Sequence, residues 1–474
     1  MSAAAVRGLS TRLLDALGHP PTAGQQRAAE ALERLLATDR PHATLVLKGY
    51  AGTGKTTLVG ALVRVLAAER KRVVLLAPTG RAAKVLGAYA RSSAGTIHRR
   101  IYRVGGDDAD GPVGLGLAPN RDSNTLFIVD EASMIGRGGG EGAFGDRDLL
   151  TDLFEHVFSA PGCKLLLIGD PAQLPPVGNA HSPALDVKAL REEGITAGAV
   201  ELTEVVRQAE ASGILATATA LRATLEEASP QPRFMTGYGD VLRVDGHDLQ
   251  DALETAYARV GDDEVCVICR SNKRAFAYSQ EVRARIHGFE EELCAGDRLM
   301  VVRNNYFWAG RNGKAELIAN GEALLVDRVH RVEEAYGLRF ADVTVRWWTG
   351  TEERELDVKV MLDVLAASTP SLPFEQQRLL QRSVLAARPV LSKAQQYRAI
   401  KEDPHINALQ VKYAYAVTAH KAQGGQWDTV FVDQGYITEE MIDTEYVRWL
   451  YTAVTRATER LYLVNFHPRF WGEE

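Results

Sequence analysis

Between Leu47 and Val59 the chain reads LKGYAGTGKTTLV, which puts Gly49, Gly54, Lys55 and Thr56 in the spacing G-x-x-x-x-G-K-T. Glycines so placed let successive backbone N–H groups turn inward around phosphates, and the helix that follows points its positive end at the same charge. In such a loop the lysine sits on the β/γ-phosphates and the threonine hydroxyl on Mg²⁺. Nucleotide contacts are therefore expected from Gly52, Thr53, Gly54, Lys55, Thr56 and Thr57. In LFIVDEAS, four apolar residues deliver Asp130 and Glu131 to a strand end, where open α/β sheets bind ligands. Asp130 is expected to hold Mg²⁺ with Thr56, and Glu131 to orient or deprotonate an attacking water. The plainer alternative, a strand-end turn, is disfavoured by the phosphate loop in the same chain. In GDPAQLPPVG, Asp170 and Gln173 bracket a proline-stiffened turn from which Gln173 can sense the γ-phosphate; a rigid loop without that role is the alternative. Gln25, in TAGQQRA, carries an amide that both donates and accepts, as the edge of adenine requires, although a helical glutamine is more often only solvated. These features imply a nucleoside triphosphate and Mg²⁺. They do not choose between a kinase, a switch GTPase, a transporter subunit and a DNA motor.

The elements that must position these residues follow from the apolar patterning. Residues 21–36 show helical spacing after Pro-Thr, Ala43–Leu47 is a short apolar run before the loop, and a helix is expected over 57–69. RVVLLAP (72–78) reads as a buried strand, GRAAKVLGAYA (80–90) as a helix, and TLFIVDEASM (125–134) and KLLLIGDPAQLPPVG (164–178) as further strands running into polar ends. Uniformly apolar strands alternating with helices mean a parallel sheet covered on both faces. The pattern recurs at 264–286, 429–435 and 460–466, with a stretch from Asn320 to about Met361 that reads as antiparallel strands without crossover helices. GRGGGEGAFG (136–145) reads as a loop.

The chain has 474 residues, 46 % hydrophobic and 24 % charged, enough for two to four domains. A net charge of −6 argues against a histone-like coat but leaves room for a local basic groove. Cys266 and Cys269 form a C-x-x-C, but in a Val/Ile run whose positions i and i+3 face opposite sides, and no second pair completes a tetrahedral metal site. Four cysteines without a disulfide framework suit a reducing cytoplasm. The N-terminal residues lack the apolar core of a signal peptide, and no apolar run of ~18 residues suggests a membrane span.

Taken in order, APTGRAAKVL (77–86), GTIHR (95–99), IVDEASM, IGDPAQLPPVG, LTEVVRQ (202–208), AVTAHKAQGGQWDTVFVD (416–433) and LYTAVTRAT (450–458) resemble superfamily 1B DNA helicases of the RecD/Dda type. The resemblance implies an α/β fold of two RecA-like P-loop domains, residues 1–210 and 211–474. It also implies a short wedge hairpin at about 99–124 and an SH3-like insertion, 320–405, beginning NGEALLV. By the same resemblance Arg207 and Arg456 reach the γ-phosphate from the side of the second domain. Pro78, Thr79, Gly80, Thr96, His98, Thr418, His420 and Lys421 contact single-stranded DNA. Phosphate contacts of this kind carry no base information, as a motor passing any sequence requires. The implied protein is an ATP-dependent, 5′→3′ helicase acting as a monomer on single strands and duplex junctions, in repair or recombination, with replication or repair proteins as partners. Two departures stand out: Ala422 precedes Gln423-Gly424 where the family usually has serine, and the wedge segment is short, with Ile101 and Tyr102 at its tip or base. A superfamily 1 RNA helicase, or a P-loop ATPase remodelling protein without nucleic-acid coupling, are the alternatives. Tyr306–Phe307–Trp308 and Trp347–Trp348 are candidates for base stacking, although packed core is the commoner fate of such residues.

Overall fold

The computed structural model describes residues 8–104, 115–138, 148–206, 212–227, 230–309, 317–349, 352–388 and 392–472. Arg207, the segment 139–145 and Gly105–Gly111 lie outside them. In the first half the strands are Ala43–Gly49 (β1), Arg72–Ala77 (β2), Ala94–Thr96 (β3), Tyr102–Val104 (β4), Leu115–Leu117 (β5), Thr125–Val129 (β6), Lys164–Gly169 (β7) and Thr196–Leu202 (β8). Six of them form one sheet, ordered β3-β2-β6-β7-β1-β8, with every neighbour parallel. Parallel pairing leaves all C-terminal strand ends on one edge. Because β7 lies between β1 and β6, the Asp170–Gln173 turn emerges between the phosphate loop and Asp130–Glu131.

Alternation within the strands explains the two covering layers. Leu45, Leu47, Ile128 and Ile168 pack with the helices Leu9–Asp15, Ala23–Ala37 and Lys55–Ala68, while Val46, Phe127, Val129 and Leu167 pack with Leu149–Phe158 on the other face. The central strands β1, β6 and β7 are nearly all buried, which is why they read as continuous apolar runs, whereas the edge strand β8 is largely part-exposed. β4 and β5 pair antiparallel, Tyr102 opposite Leu117, at the position expected for a hairpin. Ile101 is fully buried and the Tyr102 hydroxyl donates to Asp152 at 2.6 Å, so both belong to the base of that pair.

The second half contributes Val241–Val244 (β9), Val265–Cys269 (β10), Arg298–Val301 (β11), Ala323–Ala335 (β12), Leu338–Trp348 (β13), Glu353–Met361 (β14), Leu409–Tyr413 (β15), Ala416–Thr418 (β16), Trp427–Asp433 (β17) and Ala457–Val464 (β18). A parallel sheet runs β16-β10-β17-β18-β9. Together the two sheets make the expected pair of RecA-like α/β halves. On β10 Cys266 enters one core layer and Cys269 the opposite one. β11 to β15 close into a barrel. It reaches beyond 320–405 at both ends, because β11 and β15 are short, buried strands that carry no alternation signal. The interval between β14 and β15, beyond the strand pattern that ends at about Met361, holds three helices, Leu362–Ala366, Phe374–Ala386 and Lys393–Glu402. Barrel residues Val343, Val345 and Trp347 share one continuous core with Val265, Val267 and Phe431 of the sheet, so barrel and second half form one packed body. Trp347 and Trp308 are buried in that core, whereas Trp348 is 45 % exposed.

Candidate functional site

The phosphate loop forms because glycine tolerates positive φ: Gly52 and Gly54 sit at +74° and +81°. Gly54 precedes the helix Lys55–Ala68 and offers no side-chain cap, which leaves the first-turn amides to a ligand. A Cβ at Gly54 would lie 2.5 Å from Gln25 Nε2, and one at Gly49 would lie 2.9 Å from Thr53 Oγ1. Thr53 is buried and donates to the Tyr50 carbonyl (2.8 Å), which pins the loop from inside. Lys55 Nζ donates to the carbonyls of Gly49 and Tyr50 at 2.7 and 2.8 Å, so its charge is held over the loop; Thr56 and Thr57 follow in the first helical turn.

Gln25 is fully buried and does two jobs. Its Oε1 accepts from Thr22 N–H, and its own N–H donates to Thr22 Oγ1, a capping box. Its Nε2 has no partner. Gln173 is likewise buried with Oε1 unpartnered. Two orphaned amide atoms beside one glycine-rich loop fit a nucleotide, since buried polar groups are otherwise satisfied. A cavity of about 270 Å³ lies beside Gln173, lined in part by Lys48, Ser133, Asp170 and Arg448.

Glu131 follows β6 in the left-handed region (φ 52°), costly for a residue with a Cβ and concentrated at functional sites. Its amide donates to Asp130 Oδ1 at 2.9 Å. Burial and the adjacent Glu131 carboxylate push Asp130 above the usual carboxylate range, against the pull of that amide and of Lys55. The Asp130 carboxylate at the end of β6 and the Thr56 hydroxyl in the first helical turn after the loop are hard-oxygen donors of the kind that would hold Mg²⁺. Across the cleft Arg456, itself buried, approaches Glu131 at 3.9 Å. Its guanidinium is oriented by the Thr452 and Gly425 carbonyls and by Thr455 Oγ1.

The Asp170–Leu174 turn is tied to the second half. Leu174 N–H donates to Thr452 Oγ1 (2.9 Å) and its carbonyl accepts from Gln423 Nε2 (2.7 Å). Arg448 donates to the carbonyls of Pro171 and Gln173. Tyr451 donates to Asp170 Oδ2 (2.8 Å) and accepts from Ala51 N–H (2.9 Å). Burial and the Asp170 charge raise the Tyr451 phenol well above its ordinary value, so it remains a donor.

The residues assigned to the strand occupy the facing edges of the two sheets. Thr79, after Pro78, caps the helix Gly80–Ala90 by accepting from Ala82 N–H, and Thr96 caps Ile97–Ile101 by accepting from Arg99 N–H. β2 and β3 are neighbours, with Ala77 opposite Thr96. Thr418 ends β16, the edge of the other sheet, and caps the turn carrying His420 and Lys421 without spending its hydroxyl on it. The edges meet: a Cβ on Gly424 would lie 2.6 Å from Ala82 Cβ and 3.4 Å from Thr79 Oγ1. Burial lowers His98 to about 4 and lowers His420, so His98 is an uncharged hydrogen-bonding group at neutral pH. Burial also lowers Lys421 to about 8.

Arg448, Tyr451 and Thr452 carried no assignment from sequence. The available signal was that the helix Thr444–Val454 is apolar on nearly every side, so polar groups within it need partners.

Two parallel α/β lobes with a phosphate loop at their junction make a pair of RecA-like P-loop domains. The AAA domain family matches residues 22–229, and the UvrD-like helicase C-terminal domain matches residues 413–464. The chain is 27 % identical over 469 residues to the ATP-dependent RecD2 DNA helicase of Deinococcus radiodurans, covering 96 % of this chain and 52 % of that protein. It is 29 % identical over 166 residues to the ATP-dependent DNA helicase dda of Enterobacteria phage T4, 34 % of each chain. The chain spans about half or less of the length of the first curated relatives it matches. A solved Pif1 helicase structure concerned with unwinding at forked dsDNA aligns over 95 % of this chain and 93 % of that one, at 18 % identity and a TM-score of 0.46. Lobe by lobe, the chain is thus similar to an AAA domain, to a UvrD-like helicase C-terminal domain and to RecD-type helicases. Among the described residues no helix is long and apolar enough to cross a membrane.

Proposed function

We propose that the protein is an ATP-dependent DNA helicase that moves 5′→3′ along single-stranded DNA and opens duplex at junctions. One observation carries this reading: Arg456 of the second lobe stands 3.9 Å from Glu131 of the first, at the same junction where the strand-binding edges of the two sheets meet. ATP is held by the loop from Gly52 to Thr57, with Gln25 on the base side and Gln173 at the γ-phosphate. Thr56 and Asp130 are the residues that would hold Mg²⁺, which would supply charge neutralisation for the phosphates. Glu131 orients the water, and Arg456, with Arg207 in the same role by resemblance, stabilises the charge that develops in transfer. An arginine supplied across a cleft acts only when the cleft is closed, so turnover and lobe motion become one event. Closure changes the spacing between Thr79, Gly80, Thr96 and His98 on one side and Thr418, His420 and Lys421 on the other. Each nucleotide state then favours a different grip on the strand. The β4–β5 pair is suited to act as the wedge, and the protein works as a monomer.

The test is unwinding of duplexes bearing only a 5′ or only a 3′ single-stranded tail, with Lys55→Ala as control. The expected result is unwinding from 5′ tails, abolished in the control. Unwinding from 3′ tails alone would reverse the polarity. ATP turnover indifferent to oligothymidylate would favour an uncoupled ATPase, and stronger stimulation by RNA than by DNA would favour an RNA helicase.

A further inference from the structure

Tyr451 is 1 % exposed, and its hydroxyl is where three segments from two lobes meet. Ala51, which donates to it, lies inside the phosphate loop. Asp170, which accepts from it, is 2 % exposed and uses its other oxygen to accept from Ala172 N–H at 2.9 Å, the bond that shapes the turn leading to Gln173. The helix carrying Tyr451 ends at Val454, two residues before Arg456. One hydroxyl thus connects the phosphate loop, the Gln173 turn and the helix that presents Arg456.

We propose that Tyr451 is a positioning residue, a relay that sets Gln173 and Arg456 in register with the phosphate loop when the lobes close. This deepens the ATPase function proposed above and rests on it. The reasoning is physical. Both bonds of the hydroxyl cross between lobes, so both are lost when the lobes separate, and Ala51 N–H and Asp170 must then be hydrated instead. The bonds therefore stabilise the closed arrangement selectively, and only a group favouring one state can shift an equilibrium between two. The hydroxyl's two bonds go to Ala51 N–H and Asp170, neither of them a group assigned to the nucleotide or the water. Its loss should lower the fraction of enzyme in the reactive arrangement while leaving the nucleotide's own contacts in place.

Two near-isosteric substitutions break the relay differently. Tyr451→Phe keeps the ring and removes both bonds. Asp170→Asn keeps an oxygen for Ala172 N–H but turns an N–H toward Tyr451, whose oxygen then faces two donors while its own proton has no acceptor. Steady-state ATP hydrolysis by the full chain, with and without oligothymidylate, is compared for the wild type, both single variants and the double variant. Each single variant is expected to lower kcat by about 5- to 30-fold, the effect of losing one buried hydrogen-bonded connection, with KM for ATP within about twofold of wild type. Because both act through one hydroxyl, the double variant should be no slower than the slower single variant. An unchanged kcat in Tyr451→Phe, effects that multiply, or a loss confined to KM would each overturn the relay. If the wild type hydrolyses ATP without responding to oligothymidylate, strand coupling fails while the kcat comparison still decides the relay; a wild type that hydrolyses no ATP overturns both.

Discussion

Replacing Glu322 with glutamine should stabilise the protein above neutral pH and not below pH 5. Glu322 closes the turn before β12 and is 8 % exposed. One carboxylate oxygen accepts from Trp347 Nε1 at 2.6 Å, and its stem packs so tightly on the first lobe that a Cβ at Gly80 would meet Glu322 Cγ at 2.4 Å. Burial raises the carboxyl from 4.5 to about 7, despite the Trp347 and Ala319 hydrogen bonds and the charge of Arg99. The folded value lies above the unfolded one. The contribution of this group to stability is therefore fully present below pH 4.5, where it is protonated in both states, and is lost as pH rises through 7. A rise of this size, at about 1.4 kcal/mol per pH unit, amounts to about 3 kcal/mol by pH 8. Glutamine keeps an acceptor for Trp347 and never ionises. Unfolding midpoints of wild type and Glu322→Gln, compared between pH 4 and 8.5, should differ little below pH 5 and diverge in favour of the variant as pH rises; other titrating groups cancel in the difference. A pH-independent difference, or a variant less stable at pH 8, would refute the assignment of a buried, costly carboxylate.

The remaining expectations concern the nucleotide and the strand. Arg456→Ala should retain ATP binding, followed with a fluorescent nucleotide, while turnover falls by about 10³-fold or more; preserved turnover would remove Arg456 from its role. Gln25→Glu keeps the oxygen that accepts from Thr22 but deletes the orphaned donor. It should raise KM for ATP by about tenfold and, because it buries a carboxyl, lower thermal stability as pH rises; equal KM values would show that Nε2 meets no base. Lys421→Ala should reduce the slope of log affinity against log salt for oligothymidylate by about 0.7, the share of one phosphate contact on a single strand. Since burial lowers Lys421 to about 8, wild-type affinity should weaken as pH climbs past 8 while that of the alanine variant stays flat.

Much of the chemistry was legible without coordinates, because it depends on residues close together in the chain. The phosphate loop is a local object: Gly52 and Gly54 must take positive φ, and the helix at Lys55 begins where the last glycine ends. The strand ending at Asp130 and the turn after β7 were recognisable for the same reason, a buried run halted by polar residues. The barrel was half legible. β12 to β14 are long enough to show a strand pattern, whereas β11 and β15 span four and five residues without alternation, and the barrel closes only when they pair across more than a hundred residues of chain.

Sequence alone determined which groups can bind phosphate, carry a proton or touch a strand, since that is a matter of residue type and short spacing. Tertiary structure decided which of them meet. Nothing near Tyr451 in the chain says that its hydroxyl reaches Ala51, four hundred residues away, and Asp170, two hundred and eighty-one away. Nothing near Glu322 says that Gly80 will press against its stem. Such contacts arise from how two independently built sheets and a barrel dock, and docking is set by the summed shape of many buried side chains rather than by any motif.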